Sequence, residues 1–464
     1  MSASSPRTRP AAWKVLVALL SLSLSLLLWL GGLIESLQRP SVGGDLSLRQ
    51  LELALLAEPA LPAPLLPVLV GPDAQAALLR EMTHQAEAVA ADEQPTPTQR
   101  LQRALLLELK DQSTKARADL QTLRDRPSGT LPPEQAQLLE RLLANDSVGI
   151  AAIAPQLPTP TLRLLACERG GGTAPSCVEP AVARQAAIQL ALVNGLPALA
   201  LLLGLVLLGR ELWLLWRGRL APPAPLLGPD LTLVDLALLV AGGFVVIGNL
   251  VPLVVTPLLQ AVLASVSWPD SLRQGLAYPV LYLSMMVAPL LILALMLRGS
   301  GPAPAGGWLQ FRWVPPLGAF RLGLGGLLMV LPLVSLTGWL VEQILPSPSG
   351  SNPMLELVLH SNDRLALACF AFTALVLAPL FEEVIFRGVL LPVLARDLGP
   401  GMGLILSSAV FALAHLSISE TPSLFVLGLG LARLRQRSGR LSASICMHSL
   451  WNGFTFLNLV LLGG

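Results

Sequence analysis

Two adjacent carboxylates and an arginine stand at the end of an apolar run near the carboxyl terminus. Residues 379–388 read PLFEEVIFRG, with Glu382, Glu383 and Arg387 as the ionisable groups. In a helix, Glu383 and Arg387 share a face and can neutralise each other. Glu382 points about 100° away and has no such partner. An unpaired carboxylate in a low-dielectric site suits a general base, whereas a charged cluster at the membrane surface is the simpler alternative for this motif alone.

Two histidines and an asparagine follow on separate apolar segments. Phe411 and His415 belong to FALAH, inside the run 404–418, which has no other ionisable group. His448 and Asn452 belong to HSLWN and, four residues apart, project from one helix face. A packing histidine explains the first motif equally well, and interhelical hydrogen bonding explains the second.

Taken together, the three motifs indicate one acid–base site. The chain has four histidines, and two of them lie on apolar segments that neighbour the Glu-Glu pair. Ionisable groups inside membrane spans are expensive and indicate function by default. A carboxylate, two imidazoles and an amide can therefore converge in one helical bundle.

The elements that carry these residues follow from an unusually apolar composition. Of 464 residues, 53% are hydrophobic and 13% are charged, and the mean hydropathy is +0.66. Soluble domains carry about 25% charged residues. The formal net charge of +2 provides no basic field. The composition excludes an ordinary cytosolic enzyme, a disordered protein and a nucleic-acid binder, and it predicts a chain that lies mostly in lipid.

Nine segments are predicted to cross the membrane, since about 20 apolar residues span its hydrocarbon core. They are residues 15–34, 185–209, 236–258, 275–297, 322–341, 365–381, 401–418, 421–432 and 441–462. The first follows Arg7, Arg9 and Lys14, and we interpret it as an uncleaved anchor, with a cleaved signal peptide as the alternative. The expected fold is an all-α, polytopic transmembrane bundle with a helical soluble insert after the first span.

The arginines predict the orientation, because lysine and arginine collect on the cytoplasmic side of membrane proteins. If all nine segments cross, every arginine cluster between spans falls on the side of the amino terminus. The amino terminus is therefore predicted to be cytoplasmic and the insert extracytoplasmic. The predicted regions are a tail with the first span (1–34), the insert (35–184), further spans (185–345) and the motif-bearing core (346–464).

The insert differs in kind from the rest of the chain. Residues 35–184 hold 18 of the 29 acidic residues, and the stretches 73–92 and 98–125 are rich in good helix formers. The helices are expected to be interrupted at Pro95, Pro97, Pro127, Pro132 and Pro133. We predict an antiparallel helical domain that binds a protein partner or presents substrate, without a catalytic site of its own.

The four cysteines fall into two classes. Cys167 and Cys177 flank a glycine-rich turn in the insert. Outside the cytoplasm such a pair favours a local disulfide, with two free thiols as the alternative. Cys369 and Cys446 lie in predicted spans and are expected to pack as small apolar residues.

The motifs, in order and spacing, resemble those of the CPBP family, the CAAX-type and bacteriocin-processing intramembrane proteases, also called the Abi domain. They are EExxxR at Glu382, Glu383 and Arg387, FxxxH at Phe411 and His415, and HxxxN at His448 and Asn452. No motif position departs from the pattern. The resemblance covers residues 365–460, so it implies nothing about the insert or the earlier spans.

The resemblance implies a hydrolase that cleaves peptide bonds of membrane-associated proteins or peptides. Glu382 would be the general base, and His415 would help it to hold and polarise the attacking water. His448 and Asn452 would stabilise the oxyanion. The supporting residues would be Glu383, Arg387 and Phe411.

The metal requirement has two interpretations. Members of the family are often called metalloproteases, and Glu382, His415 and His448 would be the ligands of a zinc ion. A zinc site normally needs three good ligands. Asparagine is a poor ligand and the sequence HExxH is absent, so we favour a metal-free, glutamate-type mechanism without a cofactor.

Two other functions compete with the protease. A catalytically idle relative would be a membrane scaffold or assembly factor that works through residues 35–184. A transporter would need charged residues along several spans and an inverted repeat, which the sequence does not show. The protease ranks first because all the motif residues are present. Its expected partners are the lipid bilayer and a membrane-embedded or membrane-associated substrate, and no nucleic acid.

Overall fold

The computed structural model describes residues 11–37, 42–88, 95–125, 131–344 and 353–463. Within these ranges the regular structure is entirely helical, which confirms the predicted class. The chain divides into two compact units, Val42–Ala198 and Met1–Ser41 with Leu199–Gly464. The first unit contains most of the predicted insert, residues 35–184, and is called the insert below, and the second is called the membrane unit.

A long helix, α1 (Ala12–Ser36), precedes the insert in the sequence. The insert consists of shorter helices: α2 (Val42–Ala57), α3 (Leu66–Leu69), α4 (Ala74–Ala88), α5 (Pro97–Leu109), α6 (Ser113–Arg124), α7 (Pro133–Leu143), α8 (Ser147–Ile153), α9 (Pro160–Arg169) and α10 (Ala174–Cys177). Their apolar faces enclose a core of leucines and alanines, such as Leu55, Leu78 and Leu105. Pro97 and Pro133 separate helices by starting them, since a proline in the first turn loses no hydrogen bond.

A disulfide joins Cys167 to Cys177 in the turn between α9 and α10, with an Sγ–Sγ distance of 2.06 Å. A Cβ atom on Gly172 would lie 2.4 Å from the sulfur of Cys177, so only glycine fits beside the bond. Cys369 and Cys446 are half-buried free thiols.

Seven helices in the described residues are long and apolar enough to cross a membrane. They are α1, α11 (Pro180–Trp216), α12 (Leu233–Ala264), α13 (Asp270–Arg298), α14 (Pro316–Ile344), α16 (Arg364–Leu398) and α19 (Leu441–Gly463). The other helices of the membrane unit are α15 (Pro353–His360), α17 (Pro400–Leu413) and α18 (Thr421–Ser438). This architecture confirms a polytopic membrane protein, while the predicted number of nine spans is approximate.

The difference in number arises at α17 and α18. The 14 residues of α17 extend about 21 Å, less than the hydrocarbon core of about 30 Å. The last turns of α18 carry arginines. The turn between the two helices nevertheless reaches the end of α1, where the N–H of Ile418 donates to Ser36 Oγ at 3.3 Å. Because the pair forms a hairpin, the predicted orientation of α19 is the same whether or not the pair crosses fully.

The helix α16 extends beyond the predicted sixth span, residues 365–381. The helix continues to Leu398, so the Glu-Glu motif lies in its middle. The physical reason is the pairing of Glu383 with Arg387 at i,i+4, which neutralises the charges inside the helix.

α16 also contains π-helical turns on both sides of the glutamates. These segments are Thr373–Leu377 and Val384–Leu390. In the first, the N–H of Ala378 donates to the carbonyl of Thr373. With the same five-residue spacing, the donor for the carbonyl of Ala374 would be the backbone N–H of residue 379. Residue 379 is a proline, which has no backbone N–H. That carbonyl is therefore open to a donor from another helix.

The loop before α14 determines where α19 begins. The N–H of Leu441 donates to the carbonyl of Gln310 at 2.9 Å, and the N–H of Ser442 donates to Phe311 at 3.0 Å. The first N–H groups of a helix have no intrahelical acceptor. The loop supplies acceptors for them and so holds the start of the helix that carries the last motif.

Candidate active site

The motif residues of α16 and α19 meet in the interior of the membrane unit. Glu383 and Arg387 are fully buried, and Arg387 Nη1 lies 2.7 Å from Glu383 Oε1. His448 Nδ1 lies 3.0 Å from the same oxygen. Since a carboxylate only accepts, Nδ1 of His448 carries the proton and donates it. Glu383 is thereby held by donors from both helices.

Glu382 makes different contacts from its neighbour. Its Oε1 accepts a hydrogen bond from the hydroxyl of Tyr282 on α13, at 3.1 Å. Its Oε2 is buried, has no hydrogen-bond partner in the described part of the chain, and lies 3.9 Å from His448 Nε2. This separation is too long for a direct hydrogen bond. It suits two groups that share a water molecule, so His448 presents one ring nitrogen to each glutamate.

Phe411 packs between the charged and aromatic groups of the site. It is fully buried, and its ring centroid lies 4.8 Å from that of His415 and 5.7 Å from that of His448, both edge to face. The guanidinium carbon of Arg387 lies 4.2 Å from the same centroid, in a cation–π contact. Phe411 therefore joins both imidazoles and the guanidinium in one packed cluster.

His415 lies in the turn after α17, so the helix ends before this residue and does not extend through the whole predicted span 401–418. Its Nδ1 is 2.8 Å from the carbonyl of Phe411, to which it donates, because a carbonyl only accepts. Carbonyls in a last helical turn lack N–H partners, and the imidazole supplies one. Leu416 follows with φ of 52°, which ends the helix. Among the described residues, the histidine that lies within 4.0 Å of the carboxylates of both glutamates is His448. No such ion pair joins either glutamate to His415 in that part of the chain.

Asn452 lies one turn after His448 on α19. Its Nδ2 donates to the carbonyl of Ala374 at 2.7 Å. This is the carbonyl that Pro379 leaves without a backbone donor. One N–H of Asn452 thus links α19 to α16, and the amide has a second N–H to offer.

The residues named as candidate zinc ligands do not gather into a metal site. Among the residues that the structure describes, no group of three or more His, Cys, Asp or Glu side chains is arranged to hold a metal ion. Nδ1 of His415 is directed to a carbonyl, and Nδ1 of His448 is directed to Glu383. The metal-free mechanism stays a prediction.

Tyr282 is not among the residues predicted from the sequence motifs. The available signal was its rarity, since the chain has two tyrosines and both lie one helical turn apart in α13. An amide or hydroxyl partner for Glu382 could not be assigned without knowing which helix packs beside α16.

An apolar groove runs beside the glutamates, between α13 and α16. Its volume is about 320 Å³. On one side it is lined by Leu290, Leu293 and Leu297 of α13, and on the other by Phe381 and Val384, which flank the Glu-Glu pair in sequence. An apolar chain can therefore lie along the turn of α16 that carries the glutamates, although neither glutamate side chain lines the groove.

Two family models match separate parts of the chain. Residues 43–188 match a domain of unknown function (DUF8675). Residues 364–454 match the model described as type II CAAX prenyl endopeptidase Rce1-like, a match that includes all three motifs. No curated protein and no solved structure matches the chain. Through the second match, residues 364–454 belong to the CPBP family of intramembrane proteases.

Proposed function

We propose that this chain is an intramembrane endopeptidase that hydrolyses peptide bonds of membrane-associated proteins or peptides, with Glu382 as the general base. The observation that carries the proposal is the division of labour within the glutamate pair. Each glutamate has a buried Oε2 without a hydrogen-bond partner among the described residues, but the charge of Glu383 is neutralised by Arg387 and its Oε1 is held by His448. Oε2 of Glu382 lies 3.9 Å from His448 Nε2, where a water molecule can bridge the two groups. A buried carboxylate oxygen with a free lone pair is what a general base requires.

In the proposed reaction, a water molecule hydrogen-bonded to Glu382 Oε2 attacks the scissile carbonyl carbon. Its proton passes to Oε2 as the carbon–oxygen bond forms and the carbonyl oxygen becomes an oxyanion. Glu382 then returns the proton to the leaving nitrogen as the carbon–nitrogen bond breaks. Nε2 of His415, the ring nitrogen not used by the carbonyl of Phe411, is the candidate to hold this water.

The oxyanion would be stabilised from α19. Because Nδ1 of His448 donates to Glu383, Nε2 is the ring nitrogen left to face the oxyanion, and it donates there in the imidazolium form. The second N–H of Asn452 is the other candidate donor. Loss of one oxyanion donor typically costs about 10²–10³-fold in kcat.

The apolar groove supports a substrate with apolar residues beside the scissile bond. Its leucines on α13 and its aromatic residue Phe381 on α16 offer no hydrogen-bonding side chain. The family model's description names prenyl endopeptidases of CAAX proteins, so a prenylated CAAX peptide is one substrate to test. An unmodified peptide with an apolar segment is the other.

The direct test is cleavage of quenched fluorescent peptides of both kinds by the full-length protein in detergent. We expect Glu382→Gln to lower kcat by about 10²–10⁴-fold. Glu342→Gln, which alters an exposed carboxylate at the end of α14, should leave the rate unchanged. Activity of the unaltered protein should survive a zinc chelator. Loss of activity with the chelator would instead support zinc, and an active Glu382→Gln protein would show that the base is another residue.

A second candidate function is favoured by one observation. The insert is a compact unit with its own core and its own family match, which suits a protein that works as a membrane scaffold or assembly factor. Such a protein would keep its cellular role with Glu382→Gln and lose it when residues 43–188 are removed. The protease predicts that Glu382→Gln abolishes that role.

A further inference from the structure

We propose that Tyr282 is a positioning residue for Glu382, so that α13 completes the active site from outside the matched catalytic domain. The inference rests on the proposed function, because it assigns a task in the same reaction. Tyr282 lies more than 80 positions before residue 364, where the family match begins. The motifs of that domain therefore do not include it.

The Tyr282 ring is held firmly enough to aim its hydroxyl. It stacks on Phe381, the residue before Glu382, with centroids 6.2 Å apart and planes at 30°. One turn earlier, Tyr278 packs edge to face on Phe370 of α16, with centroids 5.3 Å apart. Two aromatic contacts thus join the same pair of helices along their length.

The close approach of α13 and α16 begins at a glycine. A Cβ atom on Gly275 would lie 2.6 Å from the Cα atom of Ala366, so a larger residue would push the helices apart. Tyr282 lies two turns further along the same helix. The glycine contact therefore sets the distance across which the Tyr282 hydroxyl reaches Glu382.

The hydrogen bond makes the two oxygens of Glu382 inequivalent. The last torsion of a glutamate side chain is soft, so an unrestrained carboxylate can exchange its oxygens. With Oε1 bound to Tyr282 at 3.1 Å, Oε2 is the oxygen that lies 3.9 Å from His448 Nε2. Tyr282 therefore selects which oxygen faces the water and the imidazole.

The same bond restrains the last torsion of the Glu382 side chain, so that Oε2 stays directed toward the imidazole. Without it, the carboxylate can rotate and its two oxygens can exchange places. In Tyr282→Phe we therefore expect kcat to fall by about tenfold with KM unchanged, because the bond positions the base and does not bind substrate.

The test compares Tyr282→Phe with Tyr278→Phe in the full-length protein in detergent, using a fluorogenic peptide that the unaltered protein cleaves. Tyr278→Phe removes a hydroxyl from the same helix without touching Glu382, so its kcat and KM should not change. An unchanged kcat in Tyr282→Phe, a loss that appears in KM alone, or an equal loss of kcat in Tyr278→Phe would overturn the proposal.

A second measurement does not depend on activity. Thermal unfolding midpoints of Tyr282→Phe, Glu382→Leu and the double variant form a cycle in which only the Tyr282–Glu382 contact is shared. We expect Tyr282→Phe to lower the midpoint in the unaltered background and to have little effect in Glu382→Leu. Equal effects in both backgrounds would overturn the positioning role. If the effects of Tyr282→Phe and Glu382→Leu on the midpoint are coupled but the protein cleaves no peptide, the proposed function is overturned while the Tyr282–Glu382 contact stands.

Discussion

Removal of the Arg387 guanidinium should destabilise the membrane unit strongly. The side chain is fully buried, and its Nη1 lies 2.7 Å from Glu383 Oε1. Its Nη2 donates to the carbonyl of Gly428 at 3.3 Å, and its guanidinium carbon lies 4.2 Å from the centroid of Phe411. Arg387→Met keeps an apolar stem of similar length but removes all of these interactions, so Glu383 loses its neutralising partner in the interior.

The expected cost follows from what Glu383 retains. Removal of one partner from a buried ion pair costs about 3–5 kcal/mol. His448 still donates to Glu383 from Nδ1, so we expect the lower end, about 3 kcal/mol. Removal of both charges in Glu383→Leu with Arg387→Met should cost less than the sum of the single variants, because an apolar pair of similar volume replaces a buried ion pair at little cost.

The assay is unfolding of the full-length protein by sodium dodecyl sulfate in mixed micelles, followed by circular dichroism. Arg433→Met is the matched control, since Arg433 is an exposed arginine on α18. Its effect should stay within about 0.5 kcal/mol. A cost below about 1 kcal/mol for Arg387→Met, or a double variant as unstable as the sum of the singles, would refute the reasoning.

Three further predictions concern other parts of the chain. Asn452→Ala leaves the carbonyl of Ala374 without a donor and should lower stability by about 1–3 kcal/mol in the same titration. An unchanged midpoint would mean that a backbone donor replaces the amide. Burial raises the pKa of the Glu52 carboxyl above its usual value of 4.5. The folded insert therefore binds the carboxyl proton more tightly than the unfolded chain does, and it loses stability as the pH rises through the raised pKa. Glu52→Gln should therefore slow amide exchange in α2 at pH 7, with a gain that vanishes below pH 4.5, and a constant gain would count against it. Cys167→Ser opens a disulfide between residues 10 positions apart and should speed exchange in α9 by the equivalent of about 2–3 kcal/mol, whereas unchanged exchange would show that the helices hold the turn unaided.

Local pattern was sufficient for the class of the protein and for part of the site. An apolar run of sufficient length predicts a spanning helix whatever it packs against, since lipid requires the backbone to satisfy its own hydrogen bonds. The spacing of Glu383 and Arg387 likewise predicts their pairing within one helix, and the structure has the pair at 2.7 Å. Both features depend on neighbours close in sequence.

Where the helices end was less predictable. The end of the apolar run suggested that the sixth span stops at residue 381, whereas the helix α16 continues to Leu398, with Glu383 and Arg387 paired inside it. The apolar run around His415 suggested a continuous span, although the bond of the imidazole to Phe411 and the backbone of Leu416 end α17 at Leu413. These outcomes depend on which hydrogen bond a polar side chain makes, which apolar periodicity does not contain.

The sequence by itself determined an all-helical membrane protein, the family of its carboxy-terminal domain and the identity of the motif residues. Only the tertiary structure decided which contacts these residues make with one another. Three contacts join partners at least 65 positions apart in the chain. They are the bond of His448 to Glu383, the bond of Asn452 to the carbonyl of Ala374, and the bond of Tyr282 to Glu382. Such contacts arise when helices pack around specific small residues and freed carbonyls, and the spacing within any one helix does not record them.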